Sequence, residues 1–158
     1  MRLKNYTDIP TDEIRKLIAA VRPSGISNFD VRISNYAGRR GRGRAYTQGS
    51  GFHDEACPFI VVSIAKTEDK ARDLGEWRSG GYLQYALGSR REVLVAILAH
   101  ELRHLWQAAN PLQGKRRGMV YGARGRMSER DADAYALQML RRYRRGELCV
   151  GDSHKGEL

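Results

Sequence analysis

A chain of 158 residues with 41% apolar and 29% charged residues has the makeup of one globular domain, spanning 1–158, around a single hydrophobic core. No run approaches the about 18 apolar residues that a bilayer span needs, and the start, MRLKNYTDIPTDEIRK, turns acidic where a signal peptide needs its apolar stretch. A cytoplasmic location without a membrane partner is therefore expected. Twenty-eight Lys and Arg against eighteen Asp and Glu leave a net charge of +10, which predicts attraction to polyanions and says nothing of fold.

In chain order, TDEIRKLIAAVR (11–22) carries Ile14, Leu17, Ile18 and Val21 at three- and four-residue spacing, the mark of an amphipathic helix. Asp12 and Glu13 suit the positive end of its dipole, and Pro23 follows its end. FDVRISNY (29–36) alternates apolar with polar residues and predicts a half-buried strand. GRRGRGR (38–44) offers nothing to pack and predicts a mobile turn, after which RAYTQ resumes as a short strand. Cys57 lies just beyond, far from Cys149, and the two form no C-x-x-C pair, so reduced thiols are expected. PFIVVSIA (58–65) is a β-branched run that fits a strand buried on both faces.

TEDKARDLGEW fits a short helix or a loop, and GGYLQYAL (80–87) a short edge strand. In SRREVLVAILAHELRHLWQAANP, Ser89 and Glu92 form a capping box, and Pro111 stops the helix near Ala109. Apolar on nearly every side, this is the expected central helix. NPLQGKRRGMVYGARGR reads as a glycine- and arginine-rich loop. SERDADAYALQMLRRYRR reads as the last helix, with Ser128 and Asp131 as a second capping box and Ala132, Tyr135, Ala136, Met139 and Leu140 as its stripe. These elements predict an α+β fold: a small mixed sheet of three to four strands packed on the central helix, flanked by an N-terminal and a C-terminal helix.

AILAHELRHLWQ (96–107) sets three polar groups in an apolar helix. Residues four apart share a helix face, so His100 and His104 can aim two imidazoles at one zinc ion. Glu101 sits beside that ion, placed as a general base toward a zinc-activated water. This is the H-E-x-x-H pattern, and its bland alternative is a pair of satisfied core histidines. A catalytic zinc takes a third protein ligand and keeps a fourth position open. His53 and His154 lie in loop-like and tail segments, so Glu129, 25 residues after His104 at the start of the next helix, is the expected ligand. Asp133, one turn on, is placed to accept from a liganding imidazole. The bland reading of Glu129 is a first-turn acid that suits the helix dipole.

HELRH followed by ERDAD resembles the H-E-x-x-H plus E-x-x-A-D pattern of the gluzincin zinc metallopeptidases, in particular their minimal single-domain members and the membrane-bound CAAX-processing type. The likeness covers about 45 residues, Ser89 to Tyr135. It implies a zincin-like fold, a zinc cofactor on His100, His104 and Glu129, Glu101 as base, Asp133 behind a ligand, and hydrolysis of peptide bonds. It also implies an oxyanion-stabilising His or Tyr, for which Tyr82, Tyr85, Tyr121 and Tyr135 are the candidates. A peptide or protein substrate would add as a strand to an edge strand, expected at Gly81, Tyr82, Leu83 and Gln84.

A reading from another class starts from the arginines in 38–44, KRRG (115–118), ARGR (123–126) and RRYRR (141–145), with Tyr46, Tyr121 and Tyr143 nearby. They suit a nucleic-acid-binding module with a zinc site, or a degenerate peptidase kept for binding. The connecting loop 110–127 carries Lys115, Arg116, Arg117, Arg124 and Arg126 without an acid, which favours acidic or nucleic-acid-associated substrates. Oligomeric state leaves no trace in the sequence.

Overall fold

The computed structural model of the chain describes residues 1–38, 41–46, 57–72, 76–79, 83–110 and 126–148, with the backbone alone at 72, 76–79, 83–85, 126 and 127. The fold is α+β. A four-stranded mixed sheet runs in the order β1 (Leu3–Tyr6), β2 (Asp30–Tyr36), β4 (Phe59–Ala65), β3 (Arg42–Tyr46). β1 and β4 lie parallel to β2, and β3 is antiparallel to β4. Parallel strands need a crossover, and α1 (Thr11–Val21) supplies the one from β1 to β2. Its predicted stripe, Ile14, Leu17, Ile18 and Val21, is buried. β1 went unread in the sequence because LKNY is too short to show a period.

The predicted turn at 38–44 is corrected. Its second half is strand: Arg42 pairs with Ser63, Gly43 with Val62 and Arg44 with Val61. The stretch GRGRAY alternates with period two, small residues inward and large ones outward. Glycine is needed inside because a helix presses on the strand. A Cβ on Gly43 would stand 2.4 Å from Ile97 Cγ2 and 2.6 Å from Glu101 Oε1, and one on Gly41 would stand 2.7 Å from Val93 Cγ1. Residues 39 and 40 lie outside the described set. β4 is buried on both faces only over its second half, since Phe59 and Val61 stay half-exposed.

That helix is α3 (Arg90–Ala109), the centre of the molecule, with Val93 to Leu102 buried almost throughout. Ser89 Oγ accepts from the Glu92 backbone N–H at 3.2 Å, as half of the predicted capping box. The other half differs: the Glu92 carboxylate accepts from Gly88 N–H at 2.7 Å and from Arg144 at 2.8 Å, because the last helix brings a guanidinium within reach. α2 (Glu68–Arg72) realises the helical option for its segment, and its Glu68 accepts from Arg90 N–H at 2.9 Å. β5 (Glu76–Ser79) and β6 (Leu83–Ala86) form a separate antiparallel hairpin.

α4 (Arg126–Arg144) packs along α3 and runs antiparallel to it, with Asp131 on Arg103 at one end and Arg144 on Glu92 at the other. It starts before Ser128, so the predicted second capping box is corrected: Ser128 and Asp131 lie inside the helix and face α3. Ile14, Leu17, Val31, Ile33, Ile60, Val62, Leu98, Leu102 and Leu140 join one core between the sheet and the helices. Among the described residues no helix is long and apolar enough to cross a membrane.

Candidate metal centre

The antiparallel packing of α3 and α4 brings His100, His104 and Glu129 together. The two imidazole Nε2 atoms stand 3.0 Å apart. Glu129 sets one carboxylate oxygen 3.3 Å from His100 Nε2 and the other 3.5 Å from His104 Nε2. A tetrahedral zinc with bonds of about 2.0 to 2.1 Å has ligand–ligand edges of about 3.3 to 3.4 Å. The three approaches bracket that edge.

Hydrogen-bond partners favour one neutral tautomer of each ring. Gln107 Nε2 donates to Ser128 O at 2.9 Å and to Asp131 Oδ2 at 3.0 Å, which fixes which way the amide points. Its Oε1 then faces His104 Nδ1 at 2.9 Å, so Nδ1 carries the proton and Nε2 a lone pair. On His100, Nδ1 lies 3.0 Å from Oδ1 of Asp133 and is protonated for the same reason. With both imidazoles neutral, their Nε2 lone pairs converge on each other and on an anionic carboxylate. Such a set repels itself unless a positive charge sits between its members.

A proton on His100 is one such charge. Burial opposes it, but Asp133 and Glu129 outweigh burial and push the imidazole up to about 9. By the same contacts His100, and then His104, hold the Glu129 carboxyl well below the usual carboxylate range. A divalent ion is the other such charge, and the donor set of two neutral imidazoles and one carboxylate fits zinc. Asp133 fits as well. It is 0% exposed, and its Oδ1 lies 3.0 Å from His100 Nδ1. A carboxylate so placed costs several kcal/mol, of order, without a positive group nearby.

Glu101 is also buried, and burial raises its pKa from the ordinary carboxylate value despite the two histidines. The Ala45 backbone of β3 lies near enough to its carboxylate to offset a small part of that rise. Behind the ligands, Arg103 grips Asp131 at 2.6 Å and lies over the rings of Trp106 and Tyr135. Gln107, Ser128, Arg103 and Asp131 escaped the sequence reading as site residues. The only trace was Gln107 three places after His104, which any exposed helix position would equally show.

Of the oxyanion candidates, Tyr135 donates its hydroxyl to Val21 O at 2.9 Å. Tyr85 lies in β6 with its backbone alone described, and Tyr82 and Tyr121 fall outside the described residues. Leu83 and Gln84 belong to β6, while Gly81 lies outside. In the four-stranded sheet the edge strand beside α3 is β3, and among the described residues no strand pairs with its other edge. His53, His154, Cys149 and residues 111–125 of the connecting loop, with their arginines, are likewise outside.

Two helices in an α+β fold thus bring together two histidines and one carboxylate that could hold a metal ion, with a second, buried glutamate beside them. No family model, curated protein or solved structure matches the chain.

Proposed function

We propose that the chain is a zinc-dependent metallopeptidase of zincin-like architecture, hydrolysing peptide bonds. The observation that carries this reading is the convergence of the two histidine Nε2 atoms and the Glu129 carboxylate, with the buried Glu101 beside them. His100, His104 and Glu129 would hold the ion, and His100 would stay in register through Asp133. A zinc ion bound there supplies a Lewis acid that acidifies an attacking water. Glu101 takes the proton from that water and passes it to the departing amine. Burial raises its pKa, a shift in the direction that favours taking the proton. β3 would receive the substrate as an added antiparallel strand, since it passes directly over Glu101 through Gly43.

Two measurements test this. Protein purified in zinc buffer and freed of excess metal should retain one zinc per chain, and it should cleave a peptide library in a chelator-sensitive way. Glu101→Gln should keep the zinc and lose about 10²- to 10⁴-fold in turnover. Wild-type turnover in that variant refutes the peptidase mechanism.

A further inference from the structure

Apart from Ala65, the core residues of the strands point to one side of the four-stranded sheet, and the charges on the other side are basic except for Asp30. Strand register sets Lys4, Arg32, Val61 and Arg44 in one row across β1, β2, β4 and β3, and Arg42 projects one row further. Lys4, Arg32, Arg42 and Arg44 are exposed, and among the described residues none pairs with a carboxylate. Asp30, the acid on this face, is taken by Arg2 at 2.7 Å. Rings alternate with the cations: Arg32 lies 5.3 Å over Tyr6, and Arg42 lies 4.9 Å over Tyr36, reaching across the small Ser63 and Ala65. Tyr6 is 57% exposed.

We propose that this outer face binds single-stranded nucleic acid, with Lys4, Arg32, Arg42 and Arg44 against its phosphates and Tyr6 and Tyr36 offering rings to its bases. A charged surface that served solubility alone would mix signs. The row from Lys4 to Arg44 spans three strand spacings, about 14 Å, enough to follow several backbone phosphates. A flat sheet with rings among cations stacks unpaired bases, whereas a duplex hides its base faces. A lipid surface fits less well, because Met1 and Tyr6 are the only exposed large apolar residues among those described. This places the contact on a regular strand instead of on the arginine-rich loops. It is independent of the zinc reading, since β3 turns Arg42 and Arg44 outward and Gly43 toward Glu101.

The test is fluorescence anisotropy of the full chain with a labelled dT strand of about 20 nucleotides, at several salt concentrations. Four phosphate contacts predict a slope of log affinity against log salt of about −3. Arg32→Glu, Arg42→Glu and Arg44→Glu together should weaken binding about a hundredfold at about 100 mM salt and cut the slope to about −1. Zinc content and melting temperature should be unmoved. Tyr6→Ala should weaken binding about fivefold at constant slope. The matched control, Arg15→Glu and Lys16→Glu on exposed positions of α1 with Arg22→Glu just after its end, makes the same change in net charge and should cost under about threefold. Equal loss in both triple variants would mean net charge alone and overturn the proposal. So would failure of the wild type to bind at about 50 mM salt, or equal binding of duplex or of anionic vesicles.

Discussion

The seam between α3 and α4 and the outer face of the sheet both concentrate charge, and they hold it in opposite ways. At the seam the charges are few, buried or half-buried, and tied: Asp133 has His100, Asp131 has Arg103 and Gln107, and Glu129 has both histidines. On the face the arginines of β2 and β3 are exposed and lie over aromatic rings. Burial makes each seam group depend on a particular partner, because an unpaired buried charge is expensive while an exposed one is solvated. Exposure leaves the face tolerant of any single change. The seam therefore supports a site with defined geometry, and the face supports contacts that add.

Single substitutions should break the seam and spare the face. The largest effect is expected from His104→Ala or Glu129→Gln, which remove a donor from the converging set. Stoichiometric zinc should be lost, read as metal content after dialysis. Gln107→Leu comes next. It keeps the packing volume but removes the acceptor that fixes the His104 tautomer, and zinc affinity should fall about ten- to a hundredfold in a competition titration against a chromophoric chelator. An affinity within twofold of wild type would mean that the tautomer is set elsewhere.

On β3 the comparison is sharpest, because one strand serves both regions. Gly43→Ala faces Ile97 and Glu101 and should cost about 1 to 3 kcal/mol in urea unfolding, since side chains on α3 must shift. Arg44→Ala, its neighbour on the other face, should cost under about 0.5 kcal/mol. The smallest effect concerns Asp8, whose carboxyl is lowered to about 2, first by its hydrogen bond from Arg90. Its folded pKa lies below the ordinary 3.8, so the stability it adds is full above pH 3.8 and lost as pH falls through about 2. Asp8 is 70% exposed, and solvent screening holds that contribution below about 1 kcal/mol. Acid unfolding of Asp8→Asn should therefore differ from wild type by no more than that. A larger gap would make the Arg90 contact a principal anchor of the helix start.

What the sequence determined by itself were the features whose physics is local. Helical period placed α1 and its buried stripe, a serine cap and a proline bounded α3, and four-residue spacing put His100 and His104 on one face. The 25-residue interval from His104 to Glu129 gave the chain room to turn back. Only the tertiary structure decided which polar groups meet across the seam. Gln107, Ser128, Asp131 and Arg103 acquire partners 21 to 28 residues away, and no local pattern marks such a meeting. The same holds for β3. Its glycines look like a turn in isolation and become a strand because α3 approaches too closely for any side chain, a fact that belongs to the packing of two elements and to neither alone.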